Sequence, residues 1–249
     1  TNIVHWATGI GWGVLHGVSS HGSPRRRWAD ALALGPVAWL SGYVVLPPAK
    51  VYEPIWHYDA RTLADDLSAR GFTKLRPWTR GVDTEHFRPD KKKDLGFPGP
   101  IFLCVGRVAI EKNLPAFLDL DLPGSKWIVG EGPELARLKA KYPQAHFLGH
   151  RPNDELAEIY ASADVFVFPS RTDTFGNVII EALASGTPVA AYPVTGPIDI
   201  VGDGFGGAVS NDLREASLAA LGVDRAQARE RAMRYSWKAC SELFLDAVD

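Results

Sequence analysis

A glycine, an arginine and a lysine stand close together in Val105-Gly-Arg-Val-Ala-Ile-Glu-Lys-Asn113. Gly106 ends a buried apolar run, and a glycine there lets the backbone approach a ligand. Arg107 offers a planar two-pronged guanidinium and Lys112 a compact positive charge, and both suit a diphosphate. Two surface cations on an ordinary loop would read the same way. A second stretch, Ser170-Arg-Thr-Asp-Thr-Phe-Gly-Asn-Val-Ile-Ile-Glu181, runs from the end of an apolar strand into a helix that starts near Gly176. Free N–H groups at a helix start bind anions, above all where a glycine permits close approach. Glu181 falls one to two turns inside that helix, where a carboxylate can take both hydroxyls of a ribose. The competing reading is that Asp173 or Thr174 caps the helix and Glu181 faces solvent.

Two further loops could reach the same place. Gly130-Glu-Gly-Pro133, with Glu131 at its centre, could approach a base or a sugar, and it could equally be a plain turn. Thr195-Gly-Pro197 could line the cleft or simply join a strand to a helix. The histidines (His5, His16, His21, His57, His86, His146, His150) have no metal-ligand spacing with one another or with cysteine. His146 reads as structural, and His150 could face the cleft. No nucleophile elbow, Walker loop or dinucleotide fingerprint occurs.

The elements that must position these residues alternate. Strands are expected at Pro100–Val105, 126–129, 146–148, 165–168, 189–192 and 206–209. Each is short and apolar, as strands buried on both faces are. Helices are expected at 114–120, 133–141, 153–163 with Asn153 as cap, 176–185 stopped by Gly186, 213–221 and 225–248, with a helical turn at 198–201. This alternation predicts a doubly wound α/β domain over residues 99–249, in which ligands bind at the carboxyl ends of the strands. Upstream, a helix is expected at 62–72 and a strand at 75–78, and residues 81–98 read as a linker holding the charge run 91–93.

Bulk properties narrow the classes. The 249 residues are 46% apolar, enough for a substantial core. A net charge of -2 argues against a nucleic-acid partner. The two cysteines, Cys104 and Cys240, do not make a disulfide framework and fit a reducing cytoplasm. No apolar run approaches the ~20 residues of a membrane span. The chain opens on Thr1, and its single methionine is Met233, so a fragment or a processed start is expected.

Five stretches together resemble the retaining GT-B glycosyltransferases of family 4, the "glycosyl transferases group 1" domain: 78–89, 105–113, 129–133, 160–170 and 174–188. The resemblance covers residues 62–249 and is nearest to bacterial mannosyl- and glucosyltransferases acting on lipid or glycan acceptors. It implies a GT-B type fold with a Rossmann-like nucleotide-sugar-binding domain at 99–249. It implies a catalytic group of Arg107, Lys112 and Asp173, with the two cations holding the donor diphosphate and stabilising the departing charge. Gly106, Glu131, Thr174, Phe175, Gly176 and Asn177 would bind the donor, and Glu181 its ribose. The family pattern is Glu, seven residues, Glu, so Asp173 puts a shorter acid in the first place. The reaction would move a hexose from a nucleoside diphosphate sugar to a glycan or lipid acceptor with retention. It would need no metal and no cofactor, because the cations and the helix start do that electrostatic work.

The family also has a full N-terminal acceptor domain with a histidine loop. Only ~60 residues precede Thr62, where a domain needs well over a hundred. Residues 4–13 and 39–46 resemble the end of such a domain, while 20–27 and 47–61 do not match it. The expectation is an incomplete N-terminal domain (1–80 as a remnant) with a misread segment, and His21 is not assigned to the loop. Trp6, Trp12, Trp28 and Trp39 in this stretch suit peripheral contact at the inner face of the membrane, a core, or a misread frame. Competing readings are a degenerate nucleotide-sugar-binding module without turnover, another GT-B enzyme such as a 2-epimerase or a phosphorylase, and a generic α/β interaction domain.

Overall fold

The computed structural model describes residues 79–249 except 174, 203 and 249, together with 65, 67–69 and 71. The chain divides into units 1–58 and 59–249, and the first lies wholly outside the described residues. The expectations for the N-terminal remnant, its histidine and its tryptophans therefore lie outside them too, as does the strand at 75–78. Of the helix expected at 62–72, Asp65 and residues 67–69 are helical, and Gly71 follows at φ 91°.

Six strands, β1 (Ile101–Val105), β2 (Ser125–Val129), β3 (His146–Gly149), β4 (Val165–Phe168), β5 (Val189–Ala191) and β6 (Gly207–Val209), form one sheet in the order β3-β2-β1-β4-β5-β6. Every pairing is parallel. The helices are α1 (Leu114–Leu118), α2 (Leu135–Lys141), α3 (Asn153–Ser162), α4 (Asn177–Ala184), α5 (Thr195–Val201), α6 (Leu213–Ala220), α7 (Arg225–Met233) and α8 (Trp237–Val248).

The apolar runs are continuous because each strand feeds two cores. Leu103, Trp127, Phe166 and Val189 point to one face; Phe102, Ile128, Val167 and Ala190 point to the other. Leu114, Phe117, Leu138 and Ala216 from α1, α2 and α6 cover the second face, and Tyr160, Ile180, Ile200 and Ala228 from α3, α4, α5 and α7 cover the first. The change of face occurs after β3. The next strand, β4, then pairs with β1, so a crevice opens between the carboxyl ends of β1 and β4.

Three local expectations give way. The helix at 225–248 is broken at Arg234–Ser236 into α7 and α8, because Val82 intervenes. Its N–H donates to Tyr235 O at 2.8 Å, and its carbonyl accepts from Trp237 N at 3.3 Å. Ser236 Oγ then accepts from Ala239 N and starts α8. The turn at 198–201 is a helix from Thr195, ended by Gly202 at φ 68°. Asn153 does not cap α3; Pro152 takes the cap position, with no side-chain bond.

Residues 82–91 pack on the domain. Val82 and Phe87 are buried, and Pro89–Lys91 is one 3-10 turn. Arginines of α7 hold the ends of neighbouring helices, where carbonyls lack intrahelical partners. Arg225 donates to Ala161 O and Ala163 O behind α3. Arg229 donates to Ala184 O at the end of α4, and Arg231 to Asp199 O and Ile200 O near the end of α5. Among the described residues no helix is long and apolar enough to cross a membrane.

Candidate functional site

The crevice at the switch point holds a cleft of about 220 Å³. Gly106, Arg107 and Lys112 line it from the loop after β1, Pro169 and Ser170 from the loop after β4, and Val178 from the first turn of α4. The two loops are bonded to each other. Asn113, held at φ 52°, donates from Nδ2 to Pro169 O at 3.1 Å, and Ser170 Oγ donates to Glu111 O at 3.3 Å.

Lys112 ends a short 3-10 turn, Ile110–Lys112, which brings its ammonium over the loop after β4. Its Nζ donates to both Asp173 oxygens, each at 2.7 Å. Both side chains are about three-quarters buried, at 28% and 26% exposure. Asp173 therefore does not cap α4; its carboxylate is spent on Lys112. Among the described residues Arg107 stays exposed and pairs only at long range with Glu111, at 3.8 Å. An exposed pair of that length contributes little, so the guanidinium is open to a stronger anion.

Gly176 takes the N-cap of α4 at φ 82°, with no side chain capping the helix. A β-carbon there would meet the terminal methyl of Ile179 at 2.9 Å, and the left-handed backbone adds strain, so the position favours glycine. Among the described residues no side chain caps the first turn of α4, whose Val178 lines the cleft. Phe175 stacks edge-on with Tyr235, ring centroids 6.2 Å apart. Its carbonyl lies 2.6 Å from where a β-carbon on Gly196 would sit. The first turn of α5 therefore packs directly against the backbone of Phe175. Thr174 lies outside the described residues.

Gly130 and Gly132 have a related role. A β-carbon on Gly130 would sit 1.9 Å from Gly106 O, and one on Gly132 would sit 2.3 Å from Val108 O. Val108 N donates to Glu131 O, and Glu134 N donates to Val108 O. The loop after β2 is thus zipped to the loop after β1 by backbone, while the Glu131 side chain is exposed and is not part of the cleft lining. His146 packs against Phe97 at the sheet edge, and His150 is exposed beyond β3.

Glu181 does not face solvent. Its Oε2 accepts from Tyr160 Oη at 3.0 Å, across from α3. Tyr160 is fully buried, with the rings of Phe87 and Phe166 each at 5.7 Å. Burial pushes the Glu181 carboxyl above its ordinary range, and the Tyr160 bond and the nearby His86 work against that. Burial, and then the Glu181 charge, raise the Tyr160 hydroxyl well above its own range. Sequence reasoning did not single out Tyr160 for the site. The signal in it was the hydroxyl, which needs a partner once buried. A second partnership without a sequence signal is Arg171, whose guanidinium lies 3.5 Å above the Tyr192 ring. Cys104 lines the cleft, but burial lifts its thiol to about 12, so it is inert at neutral pH.

A carboxyl raised on folding is a stability cost while ionised. Its contribution is favourable below the ordinary value of 4.5 and is lost as pH rises through the folded value. Glu181→Gln keeps an oxygen for Tyr160 and removes the buried charge. Thermal melts at about pH 7 are therefore expected to show the variant more stable than the wild type, with the gap closing at about pH 4. A variant less stable at neutral pH would refute the assignment of a buried, costly charge.

Residues 99–222 match the family described as "Glycosyl transferases group 1". The GDP-mannose-dependent alpha-mannosyltransferase of Mycobacterium tuberculosis (strain CDC 1551 / Oshkosh) is 41% identical over 155 residues, covering 57% of this chain and 41% of that protein. The sulfoquinovosyl transferase SQD2 of Arabidopsis thaliana is 35% identical over 210 residues, covering 72% of this chain and 41% of that protein. Among solved structures, the apo form of the lipopolysaccharide outer core galactosyltransferase WaaB superposes with a TM-score of 0.62 at 16% identity, over 75% of this chain and 59% of that one. That likeness is one of fold. The chain spans about two fifths of the length of the curated relatives it matches.

Proposed function

We propose that this chain, whose domain over 99–222 belongs to the glycosyl transferases group 1 family with the GT-B fold, is the donor-binding part of a hexosyltransferase. The donor would be a nucleoside diphosphate sugar, held at the carboxyl ends of β1 and β4. The observation that carries this reading is the convergence of Gly106, Arg107, Lys112 and the uncapped start of α4 on one cleft at the switch point. Two cations and a helix start suit a diphosphate and would stabilise the charge that builds on it as the glycosidic bond breaks. No metal is invoked for that step. Glu181 would take the ribose and Asp173 a sugar hydroxyl. The mannosyltransferase relatives favour GDP-mannose as donor. A glycan or lipid acceptor, met at the inner face of the membrane, and retention of configuration complete the proposal.

The test is release of nucleoside diphosphate from GDP-mannose and UDP-glucose, with and without added glycan and lipid acceptors. Lys112→Met is expected to lower the rate about 100-fold, of the order found when one stabilising donor of a transition state is removed. Release that is equal in wild type and variant would sink the catalytic role. Donor binding with no release under any condition would favour a binding module without turnover.

A further inference from the structure

The Lys112–Asp173 pair differs in kind from the other bonds that join its two loops. Asn113 to Pro169 O and Ser170 to Glu111 O are neutral bonds to main chain, and they fix the loops whatever the pair does. The pair links two side chain ends, both part-exposed, in a cleft that Lys112 itself lines. Either end can leave the other without moving the backbone. In this structure the ammonium donates to both carboxylate oxygens, so an incoming phosphate competes with Asp173 for it. A doubly bonded carboxylate is a strong competitor. A neutral sugar or nucleoside has nothing with which to displace it, whereas a diphosphate has.

We propose that Lys112 and Asp173 form an exchangeable pair: a diphosphate takes Lys112 from Asp173, and the released carboxylate becomes available to sugar hydroxyls. This rests on the donor site proposed above and adds a condition to it. Sugar recognition by Asp173 is coupled to phosphate binding by Lys112, so the site discriminates against sugars that lack the diphosphate. The coupling is reciprocal, as linkage requires. The hexose strengthens diphosphate binding because it gives Asp173 a partner other than Lys112.

Isothermal titration with inorganic pyrophosphate, GDP and GDP-mannose tests this on four chains: wild type, Asp173→Asn, Lys112→Met and Glu111→Gln. Asp173→Asn nearly preserves shape and removes the competitor. It is expected to bind pyrophosphate and GDP at least threefold more tightly than wild type, and to gain less from the mannose of GDP-mannose. Glu111→Gln removes one negative charge at the same mouth, at 3.8 Å from Arg107. It controls for the general loss of repulsion and is expected to tighten binding by less. Pyrophosphate binding by Asp173→Asn that is equal to or weaker than wild type overturns the exchange, while GDP binding that Lys112→Met abolishes would leave the donor site standing. Equal tightening in Asp173→Asn and Glu111→Gln also overturns it, since simple charge would then explain the gain. Binding that is unchanged in Lys112→Met overturns the donor site and the exchange together.

Discussion

Arg229→Met should destabilise the domain by about 3 kcal/mol and lower its melting temperature by roughly 6–12 °C for a unit of this size. Arg229 donates to Thr84 O and Phe87 O at 2.7 Å and to Ala184 O at 2.5 Å. It ties the end of α4 to the chain segment that carries His86 and Phe87. Methionine keeps much of the stem's packing and leaves three carbonyls without their donor. Hydrogen bonds from a charged group contribute ~1.5–3 kcal/mol each, and the half-buried site and solvent access to the freed carbonyls reduce the sum. Lysine should recover little, because one ammonium lacks the fork that reaches three carbonyls. Urea denaturation measures the difference. A loss below about 1 kcal/mol would mean that the arginine is an ornament of the surface.

Gly130→Ala should cost a similar amount, about 3 kcal/mol, and Gly106→Ala much less. Both glycines have positive φ, 136° and 149°. Their surroundings differ. At Gly130 a methyl group would sit 1.9 Å from the backbone oxygen of Gly106, whereas at Gly106 nothing lies within 4 Å. Gly130 is thus required by the protein itself, and its substitution should push the loop after β1 away from β2. Gly106→Ala carries only the backbone strain, and its methyl group would stand in the cleft. Melting temperatures should therefore separate the two variants in one order and nucleotide affinities in the other: Gly106→Ala folded but weakened in binding, Gly130→Ala primarily unstable. Equal melting temperatures for both would contradict this account of the paired loops.

The strands were legible because parallel strands buried on both faces are written as unbroken apolar runs, and the structure places all six within a residue or two of where those runs lie. Gly186 was legible as a helix stop for a similarly local reason. At φ 71° it accompanies bonds from its own N–H to Leu183 O and from Thr187 N to Ala182 O, a closure that needs a left-handed residue. The break at 234–236 was not legible. It is made by Val82, some 150 positions away, and the pattern of 225–248 holds no proline or glycine to announce it. The site was legible in residue types and hidden in partnerships. Gly106, Arg107 and Lys112 do line one cleft, and nothing local in Asp173 foretold that its carboxylate would spend itself on Lys112 rather than on the helix start. Glu181 was read as either ribose ligand or solvent-facing charge. Its bond to Tyr160 arises from the packing of α3 against α4, which no spacing within either helix encodes. The glycines at 130, 132 and 196 were open to a ligand reading, and tertiary contact gives them a simpler one: each leaves room for a neighbouring backbone.

The central claim is that this domain binds the nucleoside diphosphate of a sugar donor, with Glu181 as the ribose ligand. Calorimetric titration of wild type and Glu181→Ala with GDP and UDP tests it most directly, with circular dichroism to verify that both chains are folded. The account predicts saturable binding by wild type, tighter for one base than the other. It also predicts a tenfold or greater loss in the variant, equivalent to about 1.4 kcal/mol. Folded wild-type protein that binds neither nucleotide, or binding that Glu181→Ala leaves unchanged, would contradict it.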